Sequence, residues 1–418
     1  MQAAELQHYL SAEAALLRER GRDDRYSDRV VCATETVARM REQFARFGIT
    51  RLADVTGLDR IGIPVWMAIR PNSKTLAVSQ GKGLNESAAQ ASAVMEAAEL
   101  ATAERFPVPI RTASMQDLID GGARVMPLNN LLARGERPIC DSDDIGWVEG
   151  YDLLKADTVF VPADAVSLNP ERDGRKSRYW QSSDGLASGN ILIEAVMHGL
   201  CERVERDASV LWLFRSDTEV LDACIDPASF HDEGVDGLLA QIDHSGFQLR
   251  LFDITSNVGV PVMFAIIAPK LDGFEEHWKH FDLSSGMGCH PSPARAAIRA
   301  ITEAAQSRVT SITGARDDFD PNLYSTQLRA DLTGYLRANP VRKIASGPDV
   351  ARDPSDNLQF ILDRLRSLGI ASVIVVPFDT GLPGFAVAKV LVPELEHPAG
   401  DRQQRYGRRA VKAMMEAA

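Results

Sequence analysis

Carboxylates gathered on one face of an otherwise apolar helix constrain this chain more than any composition figure, because each must find a cation or a proton on folding. Two stretches have this character. In SAAQASAVMEAAELATA, at roughly 100° per residue, Ser92, Glu96 and Glu99 fall within about 60° of one face. No Lys or Arg lies between Leu84 and Glu104, so neither acid has an i, i+4 partner on its own helix. A helix this apolar all round is expected to be buried. In GNILIEAVMHGLCERVERDA, Asn190, Glu194 and Glu205 lie within about 60° of one another, with Glu202 roughly another 60° round. Arg203 and Arg206 offer Glu202 an ordinary intrahelical pair, whereas Glu194 has no such neighbour. Hard oxygens without Cys or His suit Mg²⁺, and Mg²⁺ held by few carboxylates usually brings phosphate oxygens as further ligands. The two faces therefore read as opposing walls of one Mg²⁺-nucleotide site, against the alternative of two solvated, Glu-rich helix faces.

Size and charge exclude several other classes. The chain has 418 residues, 45% hydrophobic and 25% charged, as expected of a folded globular protein with two or three structural units. A net charge of -12 argues against general nucleic-acid binding, which needs concentrated basic surface. The start, MQAAELQHYLSAEAALLRER, has no signal-like apolar run, and no later stretch reaches ~18 apolar residues, so a cytoplasmic protein without membrane partners is expected. Cys32, Cys140, Cys201, Cys224 and Cys289 have no CxxC spacing and read as reduced thiols. His277 and His280 form an HxxH without a suitably spaced acid, and Cys289 beside His290 is poorly disposed as a nucleophile; neither pair is expected to carry chemistry.

Along the chain, residues 1–60 read as a helical lead-in, whose second segment TETVARMREQFARFG ends at Gly48 as a C-cap glycine. Residues 61–400 read as the main domain and 401–418 as a basic, helical tail. Strands are expected at IGIPVWMAIR, TLAVSQ, IGWVEGYDLL, TVFVPADAV, FQLRLFDIT, PVMFAIIAP, ASVIVVPF and GFAVAKVLVP, with turns at GKG, SSDGLASGN and GMGCH. Long helices are expected at PARAAIRAITEAAQSRVTSI and DNLQFILDRLRSLG. Several strands follow one another directly while helices come between groups. The fold class expected is therefore α/β of the α+β type, with mixed sheets and helices packed outside, rather than a doubly wound parallel sheet.

The nucleotide motifs of commoner folds are missing. SQGKG is not a GxxxxGK[ST] loop, no GxGxxG occurs, and kinase-like HRD and DFG segments are absent. Three blocks instead resemble the YcaO family: SQGKG running into SAVMEAAE, then GNILIEAVMHGLCERVERDA, then HPSPARAAIRAITEAAQSR, in family order over about residues 79 to 310. The resemblance implies ATP and Mg²⁺ held between acidic helices. Members of this family activate a peptide backbone amide: a nucleophile adds to the carbonyl carbon and the oxygen is phosphorylated and expelled. A substrate Cys, Ser or Thr side chain yields an azoline, external sulfide a thioamide, and a backbone amine an amidine. Carried over by position, the resemblance implies metal ligation by Glu96, Glu99, Glu194 and Glu205, and nucleotide contact by Ser92, Asn190, Glu202 and Arg206. It implies nucleotide contacts at Arg29, Thr36 and Arg308 through looser matches, and Lys82 in the GKG turn is a candidate phosphate neighbour. Glu303 and Gln306 are as readily helix surface or internal hydrogen bonds.

Departures from the family pattern narrow the expectation. Azoline-forming relatives often end in PxPxP, whereas this chain ends in AVKAMMEAA, which points to thioamide formation beside a TfuA-like partner or other sulfur donor. Asp184 stands where Asn is expected, an exchange that keeps a turn-forming residue. No leader-binding or adenylating segment is evident, so a peptide or protein substrate would be recognised within the domain or by a partner. The basic residues Arg402, Arg405, Arg408, Arg409 and Lys412 are candidates for that contact or simply a solvated helix. A homodimer is implied by the resemblance. Cyclodehydration and a catalytically silent scaffold remain the alternatives.

Overall fold

The computed structural model describes residues 6, 9–15, 25–133, 135–169, 177–270, 273, 277–316, 320–328, 330–344, 354–397 and 406–417. Among the described residues, helices of nine or more residues are α1 (Ala33–Arg41), α2 (Glu86–Arg105), α3 (Leu192–Trp212), α4 (Glu233–His244), α5 (Pro293–Thr313), α6 (Pro354–Ser367) and α7 (Arg408–Ala417). The strands are β1 (Arg51–Asp54), β2 (Val65–Ile69), β3 (Val78–Lys82), β4 (Arg111–Ala113), β5 (Ile145–Asp152), β6 (Asp157–Pro162), β7 (Leu186–Gly189), β8 (Phe247–Asp253), β9 (Val262–Pro269), β10 (Ser284–Cys289), β11 (Ile374–Phe378) and β12 (Ala386–Leu391). They divide between two compact units. One comprises Met1–Cys32, Ala98–Phe214 and Ala351–Ala418, the other Ala33–Ala97 and Arg215–Val350.

The first unit is built on a six-stranded sheet in the order β4-β5-β11-β12-β7, with β6 paired to β5. Its ladders are antiparallel. Helix α3 lies on β12 and β7, and α6 and α7 pack on α3. The core draws on Trp147 and Val148 of β5, on the buried valines of β6, β11 and β12, and on Ala195, Val196, Leu200 and Val204 of α3, all essentially fully buried. Glycines set how closely α3 can lie. A Cβ on Gly189 would stand 2.6 Å from Glu194 Cβ, and one on Gly199 would stand 2.7 Å from Gly185 O. The N-terminus of α3 has no side-chain cap from Ile191. Instead Glu13, from far earlier in the chain, accepts from Leu192 N at 3.0 Å and Ile193 N at 2.8 Å, which satisfies two orphaned donors at the positive end of the helix dipole.

The second unit holds two three-stranded antiparallel sheets, β1-β2-β3 and β10-β9-β8. Helix α5 covers β9 and β10, α4 packs on β8, and α5 also reaches β2 and β3. Val55, Val65, Met67 and Val309 form a core cluster there. The α+β class expected from sequence is what the chain adopts, and its sheets are more uniformly antiparallel than the mixed sheets anticipated. GMGCH, read as a turn, is mostly strand β10, and part of SSDGLASGN is strand β7. Within the expected helical lead-in, residues 51–54 form β1, while Gly48 caps its preceding helix at φ 68° as anticipated. No helix among the described residues is long and apolar enough to cross a membrane.

Candidate active site

On α3, Glu194 has a side chain with no solvent exposure and is surrounded by donors. Its Oε2 accepts from Asn190 N at 2.8 Å, Asn190 Nδ2 at 3.2 Å and Arg29 Nη1 at 3.2 Å, and its Oε1 accepts from Val30 N at 2.6 Å. Arg29 Nη1 also donates to Ser188 O at 3.1 Å, and Nη2 lies 3.4 Å from His198 Nδ1. Three residues selected from sequence, Arg29, Asn190 and Glu194, are thus brought together. The premise that Glu194 lacks a cation needs correction: no Lys or Arg of its own helix lies within pairing distance, but Arg29, 165 positions earlier, supplies one. Helical spacing could not reveal a partner at that separation.

One turn and more further along, a second charged group forms around Glu202, Arg203 and Arg206. Glu202 Oε2 accepts from Gly185 N at 2.9 Å and its Oε1 lies 3.3 Å from Arg206 Nη2. Arg206 also stands 3.4 Å from Asp184 and 3.7 Å from Glu205. Arg203 has no exposure; its Nη2 donates to Glu396 O at 2.7 Å and its Nη1 is 3.9 Å from Asp184. Lys389, on β12 and also buried, donates to Ser182 O at 2.5 Å. Burial pushes the Glu202 carboxyl above the ordinary carboxylate range, against the pull of Arg206. Glu99 of α2 is a charged neighbour of Lys389.

The sequence reading missed Glu13 and Lys389 and underrated Asp184. A lone lysine inside the apolar run AVAKVLVP was the available signal for Lys389. Nothing local marks Glu13 as the cap of a helix so far along the chain.

In the second unit, Thr36 is buried and Ser92 and Glu96 are half-buried on α2. Lys82 Nζ sits 2.7 Å from Glu303 Oε2. Arg308 Nε lies 3.0 Å from Asp59 Oδ2, with the guanidinium 4.2 Å from the Phe247 ring centroid. Gln306 makes an internal hydrogen bond, donating to Gln80 O at 2.8 Å. His290 Nδ1 accepts from Ser292 N at 2.9 Å, which gives that residue a local structural part. In the tail, Arg409 makes a two-pronged contact with Asp207, at 2.7 and 2.8 Å, while Arg402 and Arg405 lie outside the described residues.

Among the described residues no three His, Cys, Asp or Glu side chains are gathered so as to hold a metal ion by themselves. The donor set still has the right chemistry for a hard cation accompanied by phosphate. Glu99, Glu194 and Glu205 are buried and Glu202 is half-buried, and among the described residues the Nε and Nη1 atoms of Arg203 make no hydrogen bond. Mg²⁺ characteristically takes one or two carboxylates and completes its shell with phosphate oxygens and water.

The fold is one of antiparallel sheets under helices, with buried acids and arginines gathered along α3. The chain belongs to the YcaO family: the family model described as YcaO cyclodehydratase, ATP- and Mg²⁺-binding, matches residues 80–396. Members of this family are ATP-dependent peptide-modifying enzymes. An uncharacterized protein in the tfuA 3′ region of Rhizobium leguminosarum bv. trifolii is 40% identical over 406 residues, covering 93% of each chain. An uncharacterized protein of Methanothermobacter thermautotrophicus is 33% identical over 403 residues, covering 90% of this chain and 97% of that one. Among solved structures, YcaO from Methanopyrus kandleri bound with AMPPCP and Mg²⁺ matches with a TM-score of 0.66 at 24% identity, over 88% of this chain and 92% of that chain. A heterocyclase in complex with substrate and cofactor matches with a TM-score of 0.69 at 20% identity over 88% of this chain; the match spans 53% of the heterocyclase. At these identities the structural likenesses concern the fold.

Proposed function

We propose that this protein uses ATP and Mg²⁺ to activate a backbone amide of a ribosomally made peptide or protein, and that the product is a thioamide formed with sulfur from a TfuA-like partner or another donor. The observation that carries the reading is the 40% identity, across nearly the whole chain, to a protein encoded in the tfuA 3′ region. The net change would be amide, hydrosulfide and ATP to thioamide, ADP and phosphate. ATP, as co-substrate, supplies the phosphoryl group that makes the amide oxygen a leaving group, a step that depends chiefly on positioning and charge neutralisation.

In this reading Glu99, Glu194 and Glu205 hold the metal, and Asn190, Glu202, Arg206 and Arg29 fix the nucleotide. Asn190 and Val30 N orient the Glu194 carboxylate, and Gly185 N orients Glu202. Ser92 and Glu96 enter through their shared face on α2 as well as the family resemblance, Lys82 through the GKG turn, and Thr36 and Arg308 through the resemblance alone. A homodimer belongs to the same proposal.

The second reading is azoline formation, favoured by the cyclodehydratase description of the family. Incubation of the protein and its genomic partner with candidate peptide, ATP, Mg²⁺ and sulfide separates the two by mass spectrometry. A sulfide-dependent gain in mass from exchange of oxygen for sulfur is expected; a sulfide-independent loss of water would replace the thioamide reading with the azoline one.

A further inference from the structure

The turn leading into β7, residues 182–185, is held from three sides. Ser182 O accepts from Lys389 Nζ at 2.5 Å; Asp184 lies 3.4 Å from Arg206 Nε and 3.9 Å from Arg203 Nη1; and Gly185 N donates to Glu202 at 2.9 Å. Lys389 stands opposite Leu186 in the β12 to β7 register and is 3% exposed. Val390 N donates to Gly185 O at 2.7 Å, so the strand bearing Lys389 is tied to the same turn.

An ammonium inside an apolar strand is costly unless opposite charge lies close by. The acids facing Lys389 are Asp184, Glu202 and Glu99, with Arg203 as the opposing cation. Burial pushes Lys389 down to about 8, against the pull of Asp184 and Glu202. Burial pushes Asp184 up, and Arg203, Arg206 and Lys389 together outweigh it, so its carboxyl lies below the ordinary range.

We propose that Asp184 and Lys389 are positioning residues: an oppositely charged couple that clamps the 182–185 turn and, through Gly185 N and Arg206, aims Glu202 at the bound Mg²⁺-nucleotide. The proposal rests on the nucleotide reading of α3 given above. Neither residue need touch nucleotide. Asp184 fixes the arginine that pairs with Glu202, and Lys389 fixes the carbonyl end of the turn whose amide end holds Glu202. Losing either one frees the turn at one end, and losing both adds little, because a turn released at one end no longer aims Glu202.

The test is a double-mutant cycle on the full chain with Asp184→Asn, Lys389→Met and the double variant. Affinity for Mg²⁺ with a β,γ-methylene analogue of ATP is measured by calorimetry, and Tm is measured without nucleotide. Each single variant is expected to bind the analogue on the order of tenfold more weakly, and the double variant to bind within about threefold of the weaker single. In turnover the loss falls on the KM for ATP. Single variants that lower Tm yet bind as the parent does would reduce the couple to a purely structural one and overturn the proposal, as would additive losses in the double. Should Lys389→Met fail to fold, the nearly isosteric Asp184→Asn decides alone, unchanged affinity counting against the clamp. Absence of binding by the parent protein would instead remove the nucleotide reading, and the clamp with it.

Discussion

Single side chains decide the charge balance of the candidate site. Glu194 is the extreme case, with no exposed surface and four donor contacts from Arg29, Val30 and Asn190. Glu194→Gln leaves Arg29 facing a neutral amide and offers fewer acceptor sites to the Val30 and Asn190 amides. Because Arg29 is about one-third exposed and keeps part of its hydration, the expected cost is about 2 kcal/mol rather than that of a fully buried pair, read by urea denaturation. Affinity for Mg²⁺-nucleotide should fall in the same variant. A protein that kept both stability and affinity would show that Glu194 is neither an organising acid nor a ligand.

Whole elements show what periodicity can and cannot reveal. The acidic helices, the long helix α5 and the apolar strands β5, β6, β8, β9, β11 and β12 were legible, because each buries a face that its own pattern declares. β10 was not. Its Gly286 and Gly288 argue against a strand on local preference, yet they are what lets α5 lie close. A Cβ on Gly288 would collide with Ala296 O and stand 2.6 Å from both Ala300 N and Arg299 Cβ. The reason for a strand there sits in another element, out of reach of a local reading. Gly288→Ala is accordingly expected to destabilise the protein by about 3 kcal/mol, since backbone rather than a flexible side chain must give way.

The same locality explains the site. Residues sharing a helix face could be grouped from spacing, whereas the partners Arg29, Lys389 and Glu13 come from distant segments.

Short helices carry a pH signature. Ser216 caps the helix Asp217–Asp222 in a reciprocal box with Glu219, whose carboxyl is pushed down to about 2, chiefly by the Ser216 backbone N–H and then by Arg215. A depressed carboxyl stabilises the folded form above its ordinary value near 4.5, and that contribution is lost as pH falls from there toward 2. Local amide-exchange protection of this helix should therefore decline over that interval, and Ser216→Ala should lower it by about 1 kcal/mol at neutral pH.

At the scale of the molecule, the first unit is assembled from three separated stretches of chain, and β11 and β12 occupy the middle of its sheet between β5 and β7. Removing residues 351–418 deletes both strands along with α6 and α7, leaving β5 and β7 with no strand to join them. The shortened chain should lose the near-ultraviolet signal of Trp147, which is fully buried on β5 with its Nε1 donating to Ala113 O at 3.0 Å. Retention of that signal would mean that the sheet closes by another route.

That strand order also bears on biosynthesis. During translation from the N-terminus, Trp147 and α3 must wait for the last-made sheet strands before their own sheet can close, while the segments of the other unit have already left the ribosome. The nascent protein thus passes through an interval in which the carboxylate-bearing face of α3 is exposed without Lys389 to balance it. Folding factors that bind exposed apolar surface are expected to act in that interval, on the face of α3 that later packs against β12.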